Sequence, residues 1–310
     1  MERFDIIVIG AGPAGMTSAL NCLRAGKSVL VLESESFGGQ IAFSPRVENF
    51  PTYQQISGAE LMDKLYEQIV EWGARIELEC VQNVEKLQDC FVVTTDYGKY
   101  ECYSVILATG VKPRHIGVER EDELVGSGVS YCALCDGAFY SGEDVAVIGD
   151  ANTAIQYAIL LSGYCKHVHV CALFGKLFAD KALVDLLNTR ENVTVRYHLS
   201  LKEFIADDEL KALRFENTET QESVTIDCKC AFVCIGQQPN NKAFENLVEL
   251  DKVGYIVAGE TCTTSCEGIF AAGDCRTKHI RQLVTASSDG AIAAFNACKF
   301  VDAFKVTRGI

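Results

Sequence analysis

The chain has 310 residues, 48% of them hydrophobic, enough to bury a substantial core and, by length, to form about two domains. A net charge of −14 favours solubility and argues against a general nucleic-acid surface or a polybasic membrane surface. No apolar run reaches roughly 18 residues and the N-terminus enters a strand at once, so neither a transmembrane helix nor a signal peptide is expected. The expected location is cytoplasmic, with most of the 15 cysteines reduced and buried rather than joined in a disulfide framework.

The first segment, FDIIVIGAGPAGMTSALNCLRAGKSVLVLES, opens with a β-rich run over 4–9, turns on Gly10 and enters an Ala/Leu-rich helix from about Pro13. A second strand, 28–32, leads to Glu33. Gly10, Gly12 and Gly15 fit G-x-G-x-x-G at the strand-to-helix turn, where glycines permit the turn, let the backbone approach a pyrophosphate and pack the helix closely on the sheet. Glu33 stands about 20 residues on, where an acid can bond an adenosine ribose hydroxyl. A glycine-rich turn that only packs a helix is the simpler alternative, but here strand, helix and acid are in register.

Further on, YSVILATG (103–110) is an apolar strand ending in glycine, followed by Lys112 and Pro113 as a linker. From about 115 to 238 a second α/β unit is expected around VIGDANTAIQYAILLSGYCKHVHVCALFGK (147–176), which reads as strand, glycine turn, helix and strand. After Asn240 comes GIFAAGDC (268–275), again an apolar strand ending in Gly-Asp, and then a helix-like tract over 284–301.

Within the second unit, SYCALCDGAFY places Cys132 and Cys135 at C-x-x-C spacing, short enough for a disulfide across one turn, where a helix start favours a thiolate. Asp136 follows and can give or take the proton that disulfide cleavage requires. The pair reads as redox-active. Zinc would need four ligands, and no second C-x-x-C or His pair has suitable spacing; two inert buried cysteines are the other alternative. Cys228, Cys230 and Cys234 share one parity of a strand-like run and read as one buried face. Cys262 and Cys266 sit in a loop, His167 and His169 alternate on a strand as structural residues, and His279 lies beside a suspected site.

GAGPAG at 10–15, GGQ at 38–40, VENFP at 47–51, ATG at 108–110, CALCDG at 132–137 and GDC followed by RQLVTA occur in this order. The set resembles the low-molecular-weight flavin-containing thioredoxin reductases across essentially the whole chain. The resemblance implies an α/β protein of two Rossmann-like nucleotide-binding-type domains, the second inserted into the first. They would be a discontinuous FAD-binding domain, 1–114 and 241–310, and a central domain, 115–240, carrying the redox disulfide. It also implies FAD as cofactor, a homodimer, a thioredoxin-like partner and a central domain that rotates. Carried over, Gly10, Gly12, Ala14, Gly15 and Glu33 hold the adenosine diphosphate half, and Gln40 and Asn49 lie near the flavin. Gly39 and the ATG residues Ala108, Thr109 and Gly110 belong to the same cofactor site. Gly273 and Asp274 match the strand end at the ribityl-pyrophosphate portion, and Arg281, Gln282 and Ala286 the segment beside the flavin ring. Cys135 would face the flavin, Cys132 would attack the substrate disulfide, and Asp136 matches the family acid. No metal is expected.

The central unit departs from the family pattern. Where a G-x-G-x-x-A turn is usual, the chain has Gly149-Asp150-Ala151-Asn152-Thr153-Ala154, with a side chain and a carboxylate where backbone should meet a pyrophosphate. The positions of a His-Arg-Arg group and a later Arg are Ala172, Leu173, Phe174 and Phe178. A 2′-phosphate needs arginine-type bonds, each worth about 1.5–3 kcal/mol. Lys176 replaces only part of that charge. The resemblance is therefore read toward the ferredoxin-dependent, nicotinamide-independent branch, with reduced ferredoxin as donor. Leu173, Phe174, Leu177 and Phe178 would be either docking surface or core. The alternatives are an NADPH-dependent enzyme with an atypical nicotinamide site, a deazaflavin donor, or a non-catalytic flavin redox sensor.

Overall fold

The computed structural model describes residues 1–44 and 47–309. They fall into two compact units, Met1–Lys112 with Gln238–Ile310, and Pro113–Gln237. The first unit begins with Glu2–Ile9 (β1), Pro13–Arg24 (α1), Val29–Glu33 (β2), Gly58–Glu71 (α2), Arg75–Leu78 (β3), Val81–Lys86 (β4), Phe91–Thr95 (β5) and Lys99–Leu107 (β6). A short strand, Val111–Pro113 (β7), leads into the second unit. That unit contains Val129–Ser130 (β8), Ala133–Asp136 (α3), Asp144–Ile148 (β9), Asn152–Leu161 (α4), His167–Cys171 (β10), Lys181–Leu187 (α5) and Val193–Arg196 (β11). It continues with Leu199–Ala206 (β12), Leu210–Asn217 (β13), Ser223–Asp227 (β14) and Cys230–Val233 (β15), and the chain returns through Gln237–Pro239 (β16) to Ile269–Ala271 (β17) and Leu283–Arg308 (α6).

In the first unit β3, β2, β1, β6 and β17 run parallel in that order, and β4 and β5 continue antiparallel from the N-terminal half of β6. A parallel sheet is covered on both faces, which is why β1 closes with the unbroken apolar run 6–9, in which Ile6, Ile7 and Val8 are fully buried. One face packs on α1 and α6, the other on residues such as Phe244, Val248 and Ile256. The two helices come close because small residues meet. A Cβ on Gly290 would lie 2.4 Å from the Ala14 carbonyl oxygen, and Ser18 Oγ donates both to Ala14 O (2.8 Å) and to Gly290 O (3.1 Å). The helix α6 ends on Gly309, whose φ of 70° is the left-handed cap glycine permits.

The second unit has its own parallel sheet, in the order β11, β10, β9, β15, β8, and a separate antiparallel sheet β12–β13–β14. Core residues Val145, Val147, Ala154, Ile155 and Ala158 join its sheet to α4, while Ala146, Ile148, Phe204 and Phe215 join the opposite face to the antiparallel sheet. Cys228, Cys230 and Cys234 are buried in these cores. No helix among the described residues is long and apolar enough to cross a membrane.

Candidate active site

In the first unit, β1 ends in a turn that only glycine can make. Gly10 has a φ of +106°, and a Cβ there would lie 2.3 Å from the Ala108 carbonyl oxygen. A Cβ on Gly15 would lie 1.8 Å from Gly10 O, so α1 rests directly on the turn. Gly12 precedes the helix with Pro13 in its first position, the place where proline loses no hydrogen bond. Opposite it, a Cβ on Gly39 would lie 3.2 Å from Gly12 Cα. Glu33 at the end of β2 steadies the turn, its Oε2 accepting from Ala11 N–H (2.8 Å) and its Oε1 from Ser34 and Glu35 N–H (2.8 and 3.0 Å).

The remaining cofactor-type residues gather on the same unit. Gln40 Nε2 donates to Val111 O, Asn49 Nδ2 donates to Gln282 Oε1 (3.2 Å), and Thr109 Oγ1 donates to Asn241 Oδ1 (2.7 Å). Gly110 takes a φ of +63° and Gly273 a φ of +81°, the latter against Ala14 with Ala286 nearby. Arg281 lies with its guanidinium carbon 4.2 Å from the Tyr255 ring centre, and its Nε donates to Asp274 O (3.3 Å). Gln282 caps α6 reciprocally with Thr285.

Sequence reasoning missed a buried ion group beneath this turn. Asp289, inside α6, accepts two bonds from Arg276 (2.8 and 2.7 Å), one from Lys278 Nζ (2.9 Å) and one from Gly273 N–H (3.0 Å). Burial pulls its carboxyl up, but Arg276 and Lys278 outweigh that and hold it below the ordinary carboxylate range. The signal was an aspartate inside an Ala-rich helical tract. Asp274 differs. Its Oδ1 is buried without a partner among the described residues, and burial pushes the acid up to about 6, with Lys278 and Arg281 opposing. A buried acceptor left open beside glycine backbone is what a polar, hydroxyl-bearing phosphate ligand would complete, so these residues fit FAD.

The second unit carries the disulfide. Cys132 and Cys135 are bonded with a Cα–Cα distance of 5.3 Å, at the start of the one-turn helix α3, and Cys135 N–H donates to Cys132 Sγ (3.2 Å). Asp136 ends that turn. Its Oδ2 accepts from Ser130 Oγ (2.6 Å), and its Oδ1 is buried without a partner among the described residues. Burial raises its pKa and the Ser130 bond opposes the rise. Ser130 is the second residue missed from sequence, because its bonds exist only once β8 turns into α3. No group of three or more potential metal ligands occurs among the described residues. Cys262 is buried and, like Cys266, a free thiol outside any disulfide.

In the same unit Gly149 ends β9 with a φ of +150°, and a Cβ there would lie 2.5 Å from Cys234 O. Ala151 pairs with Phe178 in a parallel bridge, Phe178 N–H donates to Asp150 O (2.7 Å), and Asn152 exchanges bonds with Asp180 (2.7 and 2.9 Å). Leu173, Phe174 and Phe178 are 45%, 52% and 53% exposed, so they are surface rather than core, whereas Leu177 packs partly into the core. Lys176 Nζ lies 4.9 Å from the Phe178 ring centre.

The family model for pyridine nucleotide-disulphide oxidoreductases matches residues 4–290. The chain belongs to this family. Within it, the chain is 37% identical over 300 residues to the thioredoxin reductase of Treponema pallidum, covering 96% of this chain and 97% of that one. It superposes on the thioredoxin reductase of Streptococcus pyogenes with a TM-score of 0.93 at 35% identity, covering 97% and 99% of the two chains. It is also 36% identical to the NADPH-dependent thioredoxin reductase 3 of Arabidopsis thaliana over 96% of this chain and 58% of that one. The membership is thus in the low-molecular-weight thioredoxin reductases, the two-domain architecture is theirs, and FAD is the cofactor.

These comparisons overturn the ferredoxin-dependent branch, and reduced ferredoxin as donor and partner, because the likeness is to the classic thioredoxin reductases, one of them named for NADPH. The physical reason is that the arginine-type groups the resemblance leads one to expect at Leu173, Phe174 and Phe178 would bear on one phosphate group only, while the glycine-dependent turn at Gly149 and the start of α4 do not depend on them.

Proposed function

We propose that this chain is an NADPH-dependent thioredoxin reductase with an atypical, weakened nicotinamide site. FAD, when bound, supplies the electron pair that opens the Cys132–Cys135 disulfide. Gly10, Gly12, Ala14, Gly15, Glu33 and Gly39 would hold its adenosine diphosphate half. Gln40, Asn49, Ala108, Thr109, Gly110, Gly273, Asp274, Arg281, Gln282 and Ala286 would hold the remainder. The observation that carries the reading is the disulfide at a helix start with a buried carboxyl immediately after it, in a unit that also keeps a glycine turn of dinucleotide type.

Cys132 is the nucleophile toward the substrate disulfide of a thioredoxin-like protein, and Cys135 closes the enzyme disulfide again. Asp136 carries the proton. Its burial favours the acid form relative to a free aspartate, and the Ser130 bond opposes that. The test is anaerobic mixing of the FAD-loaded protein with NADPH and oxidised bacterial thioredoxin, following flavin absorbance and new thiols. NADPH bleaching the flavin in the wild type, with thiol production lost in Cys132→Ser and Cys135→Ser, is expected. Undiminished thiol production in either variant, or a flavin that millimolar NADPH leaves oxidised, would overturn the reading.

A further inference from the structure

Ser130 sits at the end of β8, two residues before the nucleophile. Its Oγ accepts from Cys132 N–H (3.1 Å) and lies 2.6 Å from Asp136 Oδ2 and 3.4 Å from Cys132 O. A hydroxyl has one proton to give. At 2.6 Å the carboxylate takes it in a charge-assisted bond, while 3.4 Å is beyond an ordinary O–H···O contact. The peptide N–H of Cys132, the Ser130 hydroxyl and Asp136 Oδ2 therefore form a chain with one direction.

That direction makes the two carboxyl oxygens inequivalent. Oδ2 is filled as an acceptor, and Oδ1 is buried with no partner among the described residues. A proton placed on Oδ2 would turn the Ser130 bond round, exchanging a charge-assisted bond for a neutral one and leaving the hydroxyl's own proton only the weak carbonyl contact. A proton on Oδ1 breaks nothing. We propose that Ser130 is a positioning residue of the disulfide chemistry, holding Asp136 through Oδ2 so that the transferable proton is confined to Oδ1. The inference rests on the reading of Asp136 as the proton carrier.

The titratable groups facing Asp136 from the surrounding elements are Tyr140 in the turn after α3, Tyr157 on α4 and Cys230 on β15. Burial pushes Tyr157 up to about 12 and raises Tyr140 and Cys230 as well, so all three are neutral near pH 7. None of them supplies a positive charge. What opposes the desolvation of Asp136 is the Ser130 hydroxyl.

In the exchange, the Cys132 thiolate bonds to one sulfur of the substrate disulfide as that S–S bond breaks, and Asp136 Oδ1 gives its proton to the departing sulfur. The Cys135 thiol then passes its proton through the same oxygen to the second departing sulfur and bonds to Cys132. The enzyme loses two electrons and two protons, and the substrate gains both pairs.

The test uses FAD-loaded, photoreduced enzyme mixed once with oxidised bacterial thioredoxin across pH, together with infrared titration of the Asp136 carboxyl using Asp136→Asn as the spectral reference. Ser130→Ala is expected to raise the carboxyl midpoint by about one pH unit, the worth of a lost charge-assisted bond, and to slow the single turnover about tenfold. Ser130→Thr, which keeps the hydroxyl, should restore both. Should Ser130→Ala not fold, Ser130→Gly carries the same expectation. A midpoint and rate in the hydroxyl-less variant equal to wild type, or loss that Ser130→Thr does not repair, would overturn the inference. If Asp136→Asn itself turns over with wild-type rate and pH dependence, the assignment of Asp136 fails instead, which separates the two failures.

Discussion

If the turn at Gly149 holds the donor as proposed, NADPH affinity can be rebuilt from two positions, with different signatures. Phe178 is tied to the turn by its bridge to Ala151 and by its N–H bond to Asp150 O, so a side chain at 178 stands beside the start of α4. Placing a guanidinium there in Phe178→Arg offers a 2′-phosphate a charge-assisted bond worth about 1.5–3 kcal/mol. Lys176, whose ammonium is 4.9 Å from the present ring centre, repels that guanidinium with and without nucleotide, so the repulsion drops out of the change in Kd. The gain of about 1.5–3 kcal/mol corresponds to a roughly 10- to 160-fold tighter Kd for NADPH and none for NADH, which lacks the 2′-phosphate. Ala151→Gly acts differently. It removes a methyl group where backbone meets the pyrophosphate, and glycine is at least as good as alanine before a helix, so both nucleotides should gain equally. The assay is anaerobic rapid mixing with each nucleotide at increasing concentration, reading the saturation of flavin bleaching. Equal gains for NADPH and NADH in Phe178→Arg, or no gain for either in both variants, would refute the assignment of this turn as the donor site.

Three further outcomes follow from the cofactor unit. Asp274 is raised from 3.8 to about 6 by burial, so the folded apo-protein holds a proton that the unfolded chain releases, and its stability falls as pH climbs through that window. Asp274→Asn should therefore stabilise the apo-protein above about pH 6 by up to ~3 kcal/mol, with the gap closing toward pH 4 in thermal unfolding, while FAD is retained less well; a gap independent of pH would contradict the burial argument. Gly10→Ala places a Cβ 2.3 Å from Ala108 O at a φ of +106°, and the purified protein should lose most of its FAD absorbance. Asp289→Asn leaves Arg276 and Lys278 buried against a neutral amide, and a loss of about 3–5 kcal/mol in denaturant midpoint experiments is expected.

The doubly Rossmann-like fold was legible because its signals are local and geometric. A turn needing a φ of +106° at Gly10, a helix opening on Pro13 and an acid at the next strand end leave few other readings for 30 residues of chain. Asp289 and Ser130 were not legible, since each acquires its meaning from partners that only the folded chain brings within reach: Arg276 and Gly273 for one, the Cys132 peptide and Asp136 for the other. The electron donor was misread for a different reason. Leu173, Phe174 and Phe178 record the loss of positive charge, and a lost charge-assisted bond of about 1.5–3 kcal/mol changes a dissociation constant by powers of ten without deciding which molecule binds. Whether a dinucleotide can lie in the site depends instead on the backbone, where Gly149 still makes a turn no other residue fits and α4 still begins beyond it. Side chains around such a turn would set how tightly a phosphate is held, and what points to the donor is the likeness to thioredoxin reductases, one of them named for NADPH.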